Sequence, residues 1–354
     1  MSSEPAKAQV LVTGADGYIA GWIVKLLLEG GHVVNAAVVD AADEARLFAL
    51  EKLAETATGK LSIFEANLLN QGAYAEAMAD CSLVFHTASP FTMKTDNPQR
   101  DLVDPALLGT RNVLNQAMRT HGVKKVVLTS SAAAIFGDNA DLESAKNGAF
   151  SEKDWNTSSS LEHQPYFFSK TVAEREAWRF AEGQSKWELV TINPVLVLGP
   201  AFNPNPGSES FHLIRQLGDG TMKWGLPDFP CGIVDVRDVA NAHVQAAFNP
   251  AAHGRYLISG HDTSLFELAG ILRTRFGDEY PLPKSLLPKW FMWMIGPLAD
   301  SSMTRRRVAR NAGWPFRADS SKSVRELGIT YRAAEETITE MFAQMIEQGM
   351  FKKT

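Results

Sequence analysis

Gln9-Val10-Leu11-Val12-Thr13-Gly14-Ala15-Asp16-Gly17-Tyr18-Ile19-Ala20 is the stretch that decides the fold of this 354-residue chain. Its first five residues are mostly apolar and predict a short buried strand. A helical pattern over residues 22–29 follows the two glycines, and a second β-rich run occupies residues 32–39. A strand, a glycine turn, a helix and a second strand in this order predict a βαβ unit.

The glycine turn of this unit has the composition of a phosphate-binding turn. Gly14 permits a tight turn, and Gly17 allows the backbone to approach a pyrophosphate at the amino end of the helix. Ala20 stands where such turns often carry a third glycine, and it is small enough for close packing of the helix on the strand. The turn therefore predicts a dinucleotide site, with a purely structural βα turn as the alternative.

Strands and helices continue to alternate through the first half of the chain. Predicted helices cover residues 42–55, 71–78 and 107–119, and predicted strands cover residues 61–65, 83–86 and 126–129. Such alternation favours a mostly parallel sheet with helices on both faces. Ligands of such sheets bind beyond the carboxyl ends of the strands, where the loops 14–17, 87–90 and 130–133 are expected to meet.

The second half of the chain predicts a division into two units. Residues 8–197 are predicted to form a dinucleotide-binding domain, to which residues 231–262 return. Proline- and glycine-rich turns in residues 198–230 predict a smaller substrate-binding lobe, completed by residues 263–350. The predicted fold class is thus α/β, a Rossmann-type doubly wound parallel sheet with a smaller C-terminal substrate lobe. The polar segment 138–162 predicts a surface excursion.

Tyr166 and Lys170 lie four residues apart in a predicted helix, within Pro165-Tyr166-Phe167-Phe168-Ser169-Lys170. Residues at this spacing share one helix face. A phenol normally loses its proton near pH ~10, and a nearby ammonium lowers that pKa. The pair therefore predicts acid–base chemistry by Tyr166, with a solvated helix face as the alternative.

Composition and charge argue against several classes of function. The net charge is −5 and the longest basic run is Arg305-Arg306-Arg307, which argues against a nucleic-acid partner. The two cysteines, Cys81 and Cys231, form neither a disulfide framework nor a metal site unaided. We therefore expect no metal, and a reducing, cytoplasmic setting. The aromatic segment 286–298 is too short to span a bilayer; it predicts lobe core, an edge of the substrate cavity or contact with a membrane surface.

Motifs along the whole chain occur in the order typical of one family. They are the turn at residues 12–20, Val84-Phe85-His86-Thr87-Ala88, Gly109-Thr110-Arg111-Asn112, Leu128-Thr129-Ser130-Ser131-Ala132, Tyr166 with Lys170, Asn193-Pro194, Gly199-Pro200 and Val234-Asp235-Val236-Arg237-Asp238-Val239-Ala240. Residues 8–345 thereby resemble the extended short-chain dehydrogenases/reductases, within the NAD-dependent epimerase/dehydratase superfamily. The Tyr166 motif, with the Ala173-Glu174 and Trp178 that follow it, is most similar to the branch of dihydroflavonol, cinnamoyl-CoA and aldehyde reductases.

The resemblance implies roles for particular residues. Tyr166 would donate the proton to a carbonyl oxygen, Lys170 would lower the phenol pKa and bind the nicotinamide ribose, and Ser131 would orient the carbonyl. Ser130 is the neighbouring candidate for the serine. The residues implied for cofactor binding are Gly14, Asp16, Gly17, Tyr18, Ile19, Asp40, Arg46, Asn67, Leu68, Thr87, Ala88, Ser89, Thr129, Lys170, Pro194 and Val197.

The choice between NAD(H) and NADP(H) depends on the end of the second strand. The branch usually has an arginine there that pairs with the 2′-phosphate, whereas this chain has Val39 followed by Asp40. A carboxylate near the ribose favours a free 2′-hydroxyl, although Arg46 is close enough in sequence to reach a phosphate. The sequence favours NAD(H), with NADP(H) as the alternative. Asn67 stands where many relatives have an aspartate that contacts the adenine amino group, and its side-chain oxygen is still an acceptor.

The residues expected around the substrate differ from those of the plant enzymes. Phe136 stands where dihydroflavonol reductases have an asparagine that contacts the flavonoid, and the signature of cinnamoyl-CoA reductases is missing before Lys170. An apolar pocket would suit an aryl or alkyl ketone, aldehyde or secondary alcohol. Its candidate lining residues, for which lobe core is the alternative, are Phe91, Met93, Phe136, Phe202, Met222 and Trp224.

The expected function is an NAD(P)-dependent oxidoreductase that interconverts a carbonyl and an alcohol. One alternative is a nucleotide-sugar epimerase or dehydratase, which needs basic contacts for a diphosphate; residues 199–230 offer only Arg215 and Lys223. The other is a catalytically silent nucleotide-binding regulator, a class that typically loses the tyrosine–lysine pair. The family resemblance also makes helices 107–119 and 166–182 a candidate homodimer interface.

Overall fold

The structure, a computed structural model, describes residues 7–89, 95–203, 207–300 and 302–352. Its strands are β1 Gln9–Thr13, β2 Val33–Val38, β3 Lys60–Glu65, β4 Leu83–His86, β5 Lys125–Thr129, β6 Glu188–Pro194, β7 Leu196–Leu198, β8 Leu226–Pro227, β9 Pro230–Asp235, β10 Gly254–Ile258, β11 His261–Ser264 and β12 Leu286–Leu287. Its α-helices are α1 Tyr18–Glu29, α2 Glu44–Ala54, α3 Ala75–Met78, α4 Asp104–Arg119, α5 Pro165–Glu182, α6 Glu209–Gly218, α7 Val236–Phe248, α8 Leu265–Phe276, α9 Lys289–Ala299, α10 Arg305–Asn311, α11 Ser321–Leu327 and α12 Ala334–Glu347.

Seven parallel strands form the main sheet in the order β10-β6-β5-β4-β1-β2-β3. The chain runs outward from β1 through β2 to β3, and then returns to β4 on the other side of β1. The direction of winding therefore reverses between β1 and β4, and ligands of open α/β sheets bind at such a switch point. The predicted doubly wound parallel sheet is confirmed.

Helices cover both faces of this sheet, because its strands alternate their side chains between two cores. Val10 and Val12 of β1 contribute to one cluster of buried apolar residues and Leu11 to the other. Strand residues at i and i+2 share a face, so a strand buried on both sides reads as a continuous apolar run. Full burial of such a side chain stabilises the fold by about 1.5–3 kcal/mol.

The C-terminal part of the chain adds two small sheets. Strands β11, β9 and β7 form one, and β12 pairs with β8 in the other. The segment 231–262 divides between the two regions, because β10 is an edge strand of the main sheet whereas β9 pairs with β7 and β11. The domain boundaries at 198 and 263 stay predictions.

One predicted helix, 71–78, is much shorter in the structure. Only Ala75–Met78 is helical, and turns precede it. Gly72 has φ +80°, which is outside the right-handed helical region, and it interrupts the helix that the apolar pattern predicts. The other helices named in the sequence analysis form within a few residues of their expected ends.

The segment 138–162 is folded against the C-terminal region, and its prediction as a surface excursion is wrong in this respect. Asp138 is completely buried. Its carboxylate accepts hydrogen bonds from His163 and Gln164 just before α5, and from Arg310 and Asn311 of α10. Burial alone would raise the pKa of Asp138, but the bonds from His163, Asn311 and Arg310 outweigh it and lower that pKa. Asp138 thus joins the start of the tyrosine helix to α10.

Candidate active site

The carboxyl ends of β1 and β4 are joined through the hydroxyl of Thr13. Thr13 Oγ1 accepts hydrogen bonds from the backbone N–H groups of Thr87 at 3.2 Å and Ala88 at 3.1 Å. It lies 3.0 Å from His86 Nδ1, so its own proton is available for that nitrogen. The two neighbouring strand ends are thereby held together where the sequence predicts the cofactor.

The glycine turn between β1 and α1 fits a dinucleotide phosphate. Gly14 has φ +62°, and a Cβ added to it would lie 3.1 Å from Ala88 Cα. Gly17 is the N-cap of α1, without a side-chain capping bond, and the first turn carries no acidic residue. The first backbone N–H groups of a helix need acceptors, and a phosphate supplies them. Gly14, Gly17 and Ile19 therefore lie where a pyrophosphate can bind.

Tyr18 was expected among the cofactor ligands, but its side chain points into the core. Its hydroxyl donates a 2.6 Å hydrogen bond to the carbonyl of Gly199, and its ring meets Phe211 edge-on at 5.5 Å. Burial raises the pKa of this phenol well above its usual value. The side chain joins α1 to the C-terminal region, so only the backbone of Tyr18 can contribute to the phosphate site.

The predicted ribose site is rich in carboxylates. Arg46 Nη2 forms a 2.9 Å salt bridge with Asp16 Oδ2, so its charge is already paired. Asp40 Oδ1 accepts a 2.8 Å hydrogen bond from the backbone of Ala42, which fixes the carboxylate beyond the end of β2. Val39 is 65% exposed. Asp16, Asp40 and Arg46 therefore leave this corner with a net negative charge.

The predicted adenine site lies beyond β3. Asn67 Oδ1 accepts a 2.9 Å hydrogen bond from the backbone of Leu69, and the Leu68 carbonyl accepts one from Asn112 Nδ2 at 2.9 Å. A Cβ on Gly109 would come within 2.4 Å of the Leu68 side chain, so α4 can approach this loop only with glycine there. A second lone pair on Asn67 Oδ1 remains for an adenine amino group.

Ser131, Tyr166 and Lys170 lie together beside the glycine turn. The hydroxyl of Tyr166 is hydrogen-bonded to the side chain of Ser131. Lys170 Nζ donates a 2.9 Å hydrogen bond to Ser89 Oγ and lies 5.7 Å from the centre of the Tyr166 ring. Pro165 opens α5 after Gln164, which has a left-handed backbone with φ 55°. The helix thus begins where its first residues face the ends of β4 and β5.

The pKa values of the pair differ from the prediction. Burial raises the pKa of Tyr166 well above its usual range, and the hydrogen bond from Ser131 offsets only part of this effect. Burial lowers the pKa of Lys170 to about 8. The expected lowering of the Tyr166 pKa by Lys170 is not found, because the ammonium is directed at Ser89. Tyr166 is consequently a protonated phenol at neutral pH, the form that a proton donor needs.

The hydroxyl of Ser130, the alternative to Ser131, is hydrogen-bonded to a buried carboxylate. It donates a hydrogen bond to Glu174 Oε2. Glu174 also pairs with Arg255 at 2.6 Å and accepts from Asn193 Nδ2 at 2.6 Å. Asn193 Nδ2 reaches the backbone carbonyl of Ser131 at 3.1 Å as well. This network positions the serine loop. It was not predicted, although Glu174 follows Lys170 by four residues on the same helix face.

Three further cofactor candidates lie at the ends of β5 and β6 and in β7. Thr129 Oγ1 is bonded to His243 Nε2 at 2.7 Å, so its side chain faces α7 and not the turn at Gly14. Pro194 ends β6 and is buried, and Val197 lies in β7 with 9% of its surface exposed. Thr129, which was predicted to bind the cofactor, can therefore contribute only through its backbone.

The residues predicted to line the substrate pocket lie in different parts of the structure. Phe136 stacks on Phe150 at 4.4 Å and meets Phe167, the neighbour of Tyr166, at 6.2 Å. Phe202 packs on Trp22 of α1 at 5.8 Å, so it belongs to the packing of α1. The remaining candidates are Met222, which is partly buried, Trp224, which is 80% exposed, and Phe91 and Met93, which lie outside the described residues. Phe136 alone of the described candidates contacts a residue adjacent to Tyr166.

Neither a metal cluster nor a membrane span is found in the part of the chain that the structure describes. Those residues include no group of three or more His, Cys, Asp or Glu side chains placed to hold a metal ion. None of their helices has the length and apolar character needed to cross a bilayer. Cys81 and Cys231 are both free thiols.

The stability of the protein is expected to fall in acid because two buried histidines stay neutral. Burial lowers the pKa of His86 to about 3, with a further contribution from Lys170, and burial lowers that of His243 to about 4. Unfolded histidine has a pKa near ~6.5. Below this pH the unfolded state binds more protons, so the free energy of unfolding decreases by about 2 kcal/mol per histidine at pH ~5.

Urea unfolding of the wild type and of His243→Gln at neutral and acidic pH measures this effect. The variant is expected to lose about half of the acid dependence. His121→Gln, at an exposed position, is the control and keeps the wild-type dependence. An unchanged pH dependence in His243→Gln would contradict the assignment.

Comparisons with known proteins agree with this geometry. Residues 10–259 match the model of the NAD dependent epimerase/dehydratase family. The chain is 39% identical over 285 residues to cinnamoyl-CoA reductase CAD2 of Medicago truncatula, covering 77% of this chain and 82% of that reductase. It is 33% identical to tetraketide alpha-pyrone reductase 1 of Arabidopsis thaliana over 98% of both chains.

Solved structures give the same picture. Gre2 from Candida albicans in complex with NADPH aligns with a TM-score of 0.76 and 29% identity, over 96% of this chain and 99% of that one. The predicted fold, the reductase branch and the enzyme class, an NAD(P)-dependent oxidoreductase, are confirmed. The chain belongs to the NAD dependent epimerase/dehydratase family.

Proposed function

We propose that the protein interconverts a ketone or aldehyde and its alcohol, with Tyr166 as the proton donor and Ser131 as the group that orients the carbonyl. The observation that carries this proposal is the hydrogen bond between the Tyr166 hydroxyl and Ser131, made next to Lys170 and beside an uncapped helix start that fits a pyrophosphate. A bound nicotinamide supplies or accepts the hydride.

The protein residues then perform the proton transfer. The Ser131 and Tyr166 hydroxyls can both donate hydrogen bonds to one carbonyl oxygen, which stabilises the charge that develops there. Tyr166 gives its proton to this oxygen during reduction. The phenolate that remains is stabilised by the hydrogen bond from Ser131. The ammonium of Lys170, which has a pKa of about 8, would bind the nicotinamide ribose. In the oxidising direction the same groups work in reverse.

The aromatic residues beside Tyr166 support an apolar substrate. Phe167 meets the Tyr166 ring at 6.0 Å and Phe136 at 6.2 Å. Absorbance at the nicotinamide band, measured with a panel of aryl and alkyl ketones, aldehydes and secondary alcohols, tests the activity. Turnover of at least one of these compounds is expected, and turnover of nucleotide sugars alone would favour an epimerase or dehydratase.

The alternative functions have less support. A diphosphate substrate needs basic contacts, but Lys223 lies 5.1 Å over the Trp224 ring and Arg215 is on the exposed side of α6. A silent regulator has no need for the Ser131–Tyr166–Lys170 arrangement. The homodimer through α4 and α5 and the cytoplasmic location stay predictions.

We expect a higher kcat/KM with NADH than with NADPH. A 2′-phosphate would approach the carboxylates of Asp16 and Asp40, and the one nearby guanidinium, Arg46, is paired with Asp16. Asp40→Ala removes one repulsive charge and is expected to shift the ratio of the two kcat/KM values about tenfold toward NADPH, equivalent to about 1.4 kcal/mol. Initial rates with both cofactors measure this ratio.

Asp43→Ala is the control for the cofactor prediction, because Asp43 caps α2 through a bond to the Arg46 backbone. It is expected to lower the stability of the protein without a comparable change in the preference between NADH and NADPH. A wild-type preference for NADPH would show that Arg46 outweighs Asp40.

A further inference from the structure

Helix α9 is apolar on both its inner and its outer face. Met292 and the buried Gly296 face inward, where Gly296 approaches Met303. The outer residues are nevertheless large and apolar. They include Trp290 at 65% exposure, Trp293 at 43%, Met294 at 49% and Leu298 at 84%, and Ile295 beside them is 38% exposed. A helix that is apolar all round is normally buried, so the outer face of α9 needs a further apolar environment.

Trp290, Trp293, Met294 and Leu298 form one continuous surface, which we call the α9 surface. Trp290, Trp293, Met294 and Leu298 follow one another at intervals of three, one and four residues. Residues three and four apart are neighbours on a helix, so the four side chains lie on one side of α9, within an arc of about 140° at 3.6 residues per turn. The helix has 11 residues, about 16 Å at 1.5 Å per residue. It is long enough to lie along a surface and too short to cross a bilayer.

The exposed charges beside the α9 surface are mainly positive, although Lys284 is paired with Asp278, and Arg310 with Asp138 and Asp141. Residues 284–310 contain six lysines and arginines and one acidic residue, in a chain whose net charge is −5. Arg305 and Arg306 are exposed at the start of α10, and Lys289 is exposed at the start of α9. The Arg305 guanidinium lies 4.6 Å from the Trp293 ring, and Lys289 donates to the Ala309 carbonyl. Aromatic and cationic groups therefore alternate at one surface.

We propose that the α9 surface docks on an anionic lipid membrane. Tryptophan rings prefer the boundary between headgroups and acyl chains. A short helix with large apolar side chains and nearby Lys and Arg binds in that plane, held by buried apolar area and by attraction to anionic lipids. The α9 surface carries Trp290, Trp293, Met294 and Leu298 in the first role, and Lys289, Arg305 and Arg306 in the second.

A second copy of the chain fits this surface less well. A twofold dimer places the same patch of one protomer against that of the other. Such a dimer through α9 would bring Arg305 and Arg306 of one protomer toward the same arginines of its partner, and like charges in contact oppose association. A negatively charged lipid surface has the complementary sign and needs no matching pocket for the projecting side chains.

Co-sedimentation of the full chain with vesicles tests the proposal. Vesicles of phosphatidylcholine mixed with phosphatidylglycerol are compared with vesicles of phosphatidylcholine alone. Binding to the anionic vesicles is expected to be stronger and to weaken as salt is added. Equal binding to both compositions, or no binding to either, would overturn the proposal.

Two independent variants separate the apolar and the charged contributions. Trp290→Ser/Leu298→Ser removes two exposed apolar side chains and is expected to weaken vesicle binding about a hundredfold. Val324→Ser, at an exposed position on α11, is its control and is expected to bind as the wild type does. Arg305→Glu/Arg306→Glu is expected to weaken binding to the anionic vesicles at least about thirtyfold.

Lys60→Glu/Lys124→Glu is the matched control for charge, because both lysines are exposed, at the start of β3 and just before β5. It makes the same change of net charge elsewhere and should retain binding. The thermal midpoints of all variants confirm folding. Wild-type binding by the α9-surface variants would refute docking there. A dimer in gel filtration that Trp290→Ser/Leu298→Ser dissociates would refute it too, since a second copy would then occupy the surface.

Discussion

Tyr166→Phe is expected to reduce turnover by about a hundred- to ten-thousandfold while cofactor binding persists. The substitution removes only the hydroxyl that we propose as the proton donor to the carbonyl oxygen. The ring that packs edge-on against Phe167 at 6.0 Å remains, so the start of α5 should keep its structure. Steady-state rates at the nicotinamide absorbance band and a separate titration of cofactor binding measure the two properties.

Tyr256→Phe is the matched control, because it removes the hydroxyl of a fully buried tyrosine that lies outside the site. Tyr256 donates to Glu326 Oε2 at 2.9 Å on α11, far in sequence from the glycine turn. It is expected to lose some stability and to keep its turnover. A Tyr166→Phe enzyme with the wild-type rate would require a different proton donor and would refute the mechanism.

Arg255→Met is expected to destabilise the fold by about 3–5 kcal/mol, because it leaves the buried Glu174 carboxylate without its cationic partner. The Glu174 side chain is completely buried and that of Arg255 is 8% exposed. The guanidinium also donates to the carbonyls of Glu152, Asp154 and Ala134 and lies 3.8 Å from the Trp155 ring. Urea unfolding of the wild type and the variant gives the difference in free energy.

The exposed pair Arg325–Glu326 provides a control for Arg255→Met. The Arg325 side chain is 64% exposed, and its pair is expected to contribute less than about 1 kcal/mol. Arg325→Met should therefore unfold almost as the wild type does. Adding Glu174→Met to Arg255→Met removes the unpaired charge and is expected to restore part of the stability. A loss of less than about 1 kcal/mol in Arg255→Met would contradict the account.

The position of Ser131, for which we propose a catalytic role, links the two predictions. Asn193 Nδ2 donates both to Glu174 and to the backbone carbonyl of Ser131. Loss of the Glu174–Arg255 pair is thus expected to lower kcat as well as stability, because the Ser131 loop loses part of its support. Tyr166→Phe should lower kcat alone.

Much of the fold could be predicted because its signals are local. The glycine turn after an apolar strand predicts the βαβ unit, and Gly14 does adopt a positive φ. The four-residue spacing of Tyr166 and Lys170 predicts a shared helix face, and both lie near Ser131 and Ser89 in the structure. These relations are set by the backbone geometry of neighbouring residues and need no knowledge of the rest of the chain.

The errors concern side chains whose partners are distant in sequence. Tyr18 donates to Gly199, 181 residues away, and Thr129 is bonded to His243, 114 residues away. The carboxylate of Asp138 is buried and accepts a hydrogen bond from Arg310 of α10, although the composition of its segment predicts a polar surface loop. The Tyr166 pKa is raised by burial, an effect that the spacing of Tyr166 and Lys170 does not reveal.

The sequence by itself determined the alternation of strands and helices in the first half of the chain, the glycine turn, the tyrosine–lysine pair and the family, since each follows from residue types at fixed short spacings. Only the tertiary structure decided which hydroxyls and carboxylates face the site and which are used in the core, and it alone showed the Glu174–Arg255 pair and the uncovered outer face of α9. The physical reason is that burial and hydrogen-bond partners depend on which distant segments pack together, and the same side chain is a ligand or a core residue according to that packing.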